Sequence, residues 1–253
     1  MSLLNYKILG EGEPFVILHG LFGSLDNWMT LGKKWAENRK VILVDQRNHG
    51  NSFHADEFNY QVMSDDLAKL FTHLRIEQAI VMGHSMGGKT AMQFAIEYPE
   101  KISKLIVADI GPKFYPVHHH TILKAFYSVP VKDLSSRNEA DEIVKKLIPD
   151  FGTRQFLLKN LSREKDGFSW KMNLDIIAKN IEEVGKSLNQ NAQFKKPTLF
   201  VRGSKSDYIT NDDLNLIHSI FSESQLKTIE GAGHWLHAEK PNEFFETIND
   251  FIN

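Results

Sequence analysis

Cysteine is missing from all 253 residues, which excludes disulfide frameworks, thiolate metal sites, cysteine nucleophiles and thiol redox switches. Long apolar runs are missing too: no window approaches the roughly 18 consecutive apolar residues of a membrane span. The N-terminal MSLLNYKILGEGEP has no basic stretch leading into an apolar one, so it does not read as a signal peptide. A soluble, cytoplasmic chain with no membrane insertion is expected. Charge of one sign is also lacking. Thirty Lys+Arg against 32 Asp+Glu leave a formal charge of -2, which offers no attraction to nucleic acid or to an anionic surface. Internal repeats, low-complexity tracts and Gly/Ser-rich linkers are absent. The oligomeric state is left open.

What is present suffices for one sizeable core, since 42% of the residues are hydrophobic and 11% aromatic. The runs FVILHG (15–20), KVILVD (40–45), AIVMG (79–83), KLIVADI (104–110), PTLFVRG (197–203) and QLKTIEG (225–231) are short, apolar and bounded by turn residues, as buried strands are. Helical spacing links several of them. Val62, Met63, Leu67, Leu70, Phe71 and Leu74 recur every three or four residues, with Asp65, Asp66 and Lys69 between them, and MGGKTAMQFAIEY (86–98) ends at Pro99. Apolar strands separated by helices predict an α/β fold with a mostly parallel sheet covered by helices on both faces. From residue 112 to 195 the rhythm breaks into amphipathic, charged stretches. Ser136 and Glu139 have the spacing of a capping box there, Pro149 follows the helix they open, and GFSWKM (167–172) is the one extended piece. The expected organisation is a core of residues 1–111 and 196–253 with a helical cap, 112–195, inserted.

Gly83-His84-Ser85-Met86-Gly87-Gly88 follows a predicted strand and opens a predicted helix, the context that makes G-x-S-x-G a nucleophile elbow. Small residues at 83 and 87 permit a tight turn that holds the Ser85 hydroxyl above the sheet. His19-Gly20-Leu21-Phe22 ends the first buried strand, where backbone N–H groups can face the elbow. The N–H of Leu21 with that of Met86 would form an oxyanion hole, Phe22 being the alternative donor. A serine needs a base, and Gly231-Ala232-Gly233-His234-Trp235 lies beyond the last strand, in the chain order such enzymes require. His234 is therefore the candidate base. His19 is expected to brace its own loop, His84 to pack under the elbow, and His118-His119-His120 to be solvated cap surface rather than a metal site. Two carboxylates at strand ends qualify as the acid that orients the base: Asp109 in KLIVAD and Asp207 in GSKSDYI.

HGLFGSLDNW (19–28), DQRNHGNS (45–52), GHSMGG (83–88), VADIGP (107–112) and GAGHWLHAEKP (231–241) together resemble the α/β-hydrolase superfamily, and more narrowly its YbfF-like esterase branch. In many members the acid stands three residues after the glycine closing the strand beyond the cap. Counted from Gly203 that place is Ser206. YbfF-like proteins are similar in this respect, and the resemblance implies that Asp109 is the acid and that Ser206 can hydrogen-bond near His234. Within DQRNHGNS, Asp45 and Arg47 are expected to pin the loop by charge-assisted hydrogen bonds.

The reading is a serine hydrolase that cleaves carboxylic or thioesters of short to medium acyl chains, with Ser85 as nucleophile, His234 as base and Asp109 as its partner. No metal or organic cofactor is called for, and a small-molecule ester is the partner. The cap aromatics Phe114, Phe126, Tyr127, Phe156 and Trp170, with Phe22 and Trp235 beside the site, are the candidate walls of the substrate pocket. Two other readings use the same residues: a lyase or carbon–carbon hydrolase with the same triad, and a non-catalytic ligand-binding protein. Serine at position 85 disfavours a haloalkane dehalogenase, which needs a carboxylate there.

Overall fold

The computed structural model describes residues 2–253. Strands form at β1 (Tyr6–Leu9), β2 (Pro14–Leu18), β3 (Lys40–Val44), β4 (Ala79–His84), β5 (Ile102–Ala108), β6 (Leu161–Arg163), β7 (Phe168–Trp170), β8 (Thr198–Gly203) and β9 (Ser224–Ile229). Helices form at α1 (Met29–Trp35), α2 (Tyr60–Leu74), α3 (Met86–Glu97), α4 (His120–Tyr127), α5 (Arg137–Lys145), α6 (Phe151–Leu158), α7 (Leu174–Lys179), α8 (Ile181–Gly185), α9 (Leu214–Ile220), α10 (Leu236–Glu239) and α11 (Pro241–Ile252). The main sheet is seven-stranded, in the order β1-β3-β2-β4-β5-β8-β9. Neighbours run parallel except β1, which lies antiparallel on β3 with Tyr6 opposite Val44.

Alternate side chains of a strand point to opposite faces, and both faces here are apolar, which is what makes the strands read as continuous hydrophobic runs. Phe15 and Ile17 of β2 join Leu43 and Met82 against α1 and α11, whereas Val16, Leu18, Ile42 and Val81 pack with α2 and α3. The edge strand β1 was not expected. Its YKIL sequence is only partly buried and therefore lacks the apolar run that marks the inner strands. α2 begins at Tyr60, two residues before the periodic stretch, because Asn59 caps it by accepting the Val62 N–H at 3.0 Å. Asp66, expected on its polar side, is buried and pairs with Arg47 at 2.6 Å.

Between β5 and β8 the chain forms α4 to α8 and an antiparallel hairpin of β6 and β7, with Leu161 opposite Trp170. Half of the expected capping box is present. Ser136 Oγ accepts the Glu139 N–H at 3.2 Å, but the Glu139 carboxylate reaches the N–H of Ser135 at 2.9 Å instead of that of Ser136. The two ends of this segment are joined where Tyr115 N–H donates to Gly185 O at 2.8 Å and Leu188 N–H to Pro112 O at 2.9 Å. Lys89 of α3, buried, fastens the same join to the sheet by donating to Lys113 O at 2.8 Å and to Lys186 O. Among the described residues no helix is long and apolar enough to cross a membrane.

Candidate active site

Ligands of open α/β sheets bind at the carboxyl ends of the strands, and there the loops after β2, β4, β5, β8 and β9 converge. Ser85 follows β4 with φ 53° and ψ -119°, a conformation that non-glycine residues adopt only when the surroundings impose it. Its N–H donates to Ala108 O at 3.0 Å and its carbonyl receives Lys89 N–H at 3.0 Å. The turn requires backbones to touch. A Cβ on Gly87 would stand 2.5 Å from His19 O and 2.6 Å from Leu18 O, and one on Gly83 would stand 2.0 Å from Gly87 O. Gly87→Ala is therefore expected to lose about 3 kcal/mol of stability or more, by overpacking against unyielding backbone, read as a drop in the urea midpoint.

Asp109, after β5, also has positive φ (52°) and is fully buried. Three donors meet its carboxylate: Gly203 N–H at 3.1 Å on Oδ1, and on Oδ2 the Ser206 hydroxyl and His234 Nδ1–H, the latter at 2.7 Å. Such charge-assisted bonds offset the cost of burying the carboxylate. With Nδ1 donating, Nε2 is the nitrogen left to accept a proton. Asp207 is exposed and makes no hydrogen bond among the described residues. The geometry thus brings Asp109 to His234 and leaves Asp207 outside. Ser206, expected to hydrogen-bond near His234, donates to the same carboxylate oxygen that His234 Nδ1 meets.

His234 is fixed from two further sides. Its carbonyl accepts the Nε2–H of His84 at 2.8 Å, and the Tyr208 ring stacks on its imidazole at 4.0 Å and 16°. Burial, and then the neighbouring imidazoles of His237 and His234, push His84 well below the usual histidine range, so it stays a neutral donor beneath the elbow. Tyr208 is pushed up to about 12 by burial and by the charge of Asp109. Ser85 and His234 share the wall of a cavity of about 230 Å³ with His84, Trp235 and Phe22. The Ser85 hydroxyl makes no hydrogen bond among the described residues, and catalytic hydrogen bonds commonly tighten only when substrate binds.

Of the two candidate oxyanion donors in the loop after β2, Phe22 N–H is spent on His49 Nε2 at 3.2 Å. The N–H of Leu21 has no protein partner among the described residues, and that of Met86 opens α3, where helical N–H groups are free. Phe22 sits at φ 59° and its carbonyl accepts Asn160 Nδ2 from the segment above at 2.6 Å. His19 braces its loop, donating from Nδ1 to Gly20 O at 2.8 Å and accepting Gln46 N–H at Nε2, 3.0 Å. Asp45 pins the next loop by accepting the N–H groups of Leu25 and Asn51 at 2.7 and 2.9 Å, while Arg47 reaches across to Asp66.

His49 can accept from Phe22 only while neutral, its Nδ1–H donating to Arg47 O at 3.0 Å. Burial first, then the neighbouring His19, push it down to about 3, and burial does the same to His237, which stacks on Trp28. Both folded values lie below the unfolded one. The stability they contribute is therefore complete above pH 6.5 and is lost as pH falls from there toward 3. Between pH 7.5 and 5 each is expected to cost about 2 kcal/mol, roughly 4 kcal/mol together, and His49→Gln should flatten the urea midpoint between those pH values.

The pocket aromatics divide. Phe22 and Trp235 line the 230 Å³ cavity, with Phe156 5.7 Å from Trp235. Phe126 does not: it is buried between Phe22 at 5.1 Å and Trp170 at 4.9 Å, so Phe126 and Trp170 pack the segment onto the loop after β2. Phe114 is 56% exposed, and Tyr127 is exposed with its hydroxyl on Asp175 at 2.9 Å. The solvated reading of the three histidines holds for the exposed His118 and His120 but needs correction for His119. His119 lines the cavity, half-buried and pushed down to about 4 by burial and then by His118, and His118 Nε2 lies 2.7 Å from Tyr208 Oη. No motif in the sequence announces Tyr208. Its signal was faint, a tyrosine two places beyond Ser206. A wider hollow of about 710 Å³ lies beside α2, lined by Asp65, Lys69 and His73, and contains none of these residues.

A family model described as alpha/beta hydrolase fold matches residues 13–241. The chain is 36% identical to a mouse protein named sn-1-specific diacylglycerol lipase ABHD11, over 98% of this chain and 85% of that one. It is 34% identical to esterase YbfF of Escherichia coli, over 96% and 94%. Among solved structures, a marine microorganism esterase superposes with a TM-score of 0.96 at 41% identity, covering 99% of this chain and all of the other.

Proposed function

The chain belongs to the α/β-hydrolase family and is an enzyme of the esterase type, and from that premise we propose that it cleaves carboxylic or thioesters of short to medium acyl chains through an acyl-enzyme on Ser85. The observation that carries this reading is the Asp109–His234 contact of 2.7 Å beside a strained serine turn. Ser85 Oγ attacks the ester carbonyl while His234 Nε2 takes its proton. Asp109 holds the imidazole in the tautomer with Nδ1–H and stabilises its charged form. The N–H groups of Leu21 and Met86 receive the oxyanion, and a single such donor can contribute roughly 3–4 kcal/mol. The charged His234 then protonates the leaving alcohol or thiol, and water repeats the sequence on the acyl-enzyme.

Residues 112–195 act as the cap in this reading, with Phe22, Phe156 and Trp235 facing substrate. The test is a panel of p-nitrophenyl and coenzyme A esters of graded length, run beside labelling by a fluorophosphonate. Turnover of short and medium esters with the label on Ser85 is expected. Faster turnover of long-chain than of butyryl esters would remove the chain-length claim, and an unlabelled Ser85 would remove the mechanism.

A further inference from the structure

Two cavities open on Ser85, and they differ in size by an order of magnitude. The larger, of about 230 Å³, contains His234 in its wall, together with the apolar Phe22, Ile122, Phe156, Leu157 and Trp235. The smaller, of about 20 Å³, is walled by Leu21 and Met86, by Tyr60 and Ile110 from the core, and by Val117 and Val184 from the capping segment. His234 takes no part in it. One water-sized group needs ~10–15 Å³ of such space, so the smaller cavity holds little more than a methyl group.

The tetrahedral carbon on Ser85 Oγ assigns a substituent to each. Its oxyanion must face Leu21 and Met86, and its leaving oxygen must face His234, which holds the proton taken from Ser85. The remaining substituent, the acyl chain, is left with the cavity that His234 does not line. Resting on the ester-hydrolase reading above and narrowing it, we propose that within the short to medium range this enzyme prefers acetyl and propionyl esters of bulky, apolar alcohols or thiols: the small chamber takes the acyl group and the large one the leaving group.

The small chamber has little freedom to widen. Tyr60 Oη donates to Val184 O at 2.7 Å, and Tyr115 Oη donates to Tyr208 O at 2.6 Å while accepting Gly111 N–H at 2.8 Å. The join of Tyr115 to Gly185 in its wall and the buried amine of Lys89 fix both ends of the capping segment. Close-packed walls of this kind resist one extra methylene. The large chamber offers apolar contact from Ile122, Phe156, Leu157 and Trp235, with the imidazoles of His118 and His119 beside them and no carboxylate, lysine or arginine in its wall.

Isomeric esters separate the two chambers, because benzyl acetate and methyl phenylacetate contain the same atoms with the bulk on opposite sides of the ester. Wild-type enzyme is expected to favour benzyl acetate in kcat/KM by at least about a hundredfold, about 2.7 kcal/mol of transition-state discrimination. Val117→Ala, which widens the small chamber, should raise kcat/KM for methyl phenylacetate about tenfold. Val184→Ala should do the same, and a thermal melt checks that each variant is folded. Phe156→Ala, in the large chamber, should raise KM for benzyl acetate without improving methyl phenylacetate. Comparable rates for the two isomers in wild type, or no gain in either valine variant, would overturn the chamber assignment while leaving ester hydrolysis standing. If neither isomer is hydrolysed and a fluorophosphonate leaves Ser85 unlabelled, both this assignment and the reading beneath it fail.

Discussion

Ser85→Ala is expected to lower kcat for ester hydrolysis by about a million-fold while leaving the fold unchanged. The loss is that large because nucleophile, base and acid act as one unit, so removing the first leaves the other two with nothing to activate. The fold should survive because the serine side chain bonds to nothing among the described residues. The turn is held by main chain, through Ser85 N–H on Ala108 O and Lys89 N–H on Ser85 O. Alanine at φ 53° is no more strained than serine. The comparison is single-turnover hydrolysis of a p-nitrophenyl ester by both proteins, with urea midpoints measured alongside. A folded variant retaining a tenth of the activity would reject Ser85 as nucleophile. A variant with a lowered midpoint would show that the hydroxyl supports the elbow as well.

The inner strands and the elbow were legible because each is specified by contiguous residues. Both faces of the sheet are buried, so β2, β3, β4, β5 and β8 appear as unbroken apolar runs, and Gly83 and Gly87 record in the sequence that backbones touch there. β1 was not legible, since an edge strand half-exposed on both faces carries no such signature. The same contrast governs the site. Ser85, His234 and Asp109 sit at strand ends within motifs, whereas Tyr208 reaches His234 only because the loop after β8 folds across the loop after β9. No local pattern encodes that meeting. Periodicity likewise treats Phe126 and Trp170 as available aromatics. Which of them faces a cavity and which packs into its neighbour depends on the angle at which α4 and the β6–β7 hairpin settle on the loop after β2. The histidine run at 118–120 misleads for a related reason. Adjacent residues at the start of α4 point in different directions, and of the three only His119 is half-buried.

The acid is decided by a second substitution. Asp109→Asn removes the charge and keeps the shape, and kcat is expected to fall by about 10⁴. The carboxylate now accepts on both oxygens, from Gly203 N–H on Oδ1 and from Ser206 and His234 Nδ1–H on Oδ2. An amide cannot do so in either orientation. With its nitrogen toward His234, an N–H meets Nδ1–H, and the imidazole escapes by shifting its proton to Nε2, which then cannot accept from Ser85. With its nitrogen toward β8, an N–H meets the N–H of Gly203 in a fully buried place, where an unmade hydrogen bond costs about 1–3 kcal/mol. Ser206→Ala leaves the charge and the histidine contact and removes one donor of three, so its loss should be intermediate, near tenfold. Asp207→Asn should change little, its carboxylate being exposed and without a hydrogen-bond partner among the described residues. The three variants, compared in kcat and by the pH dependence of kcat/KM, order the residues directly. Near-wild-type activity in Asp109→Asn with a large loss in Asp207→Asn would transfer the role of acid from Asp109 to Asp207, and would require the loop after β8 to reorganise when substrate binds.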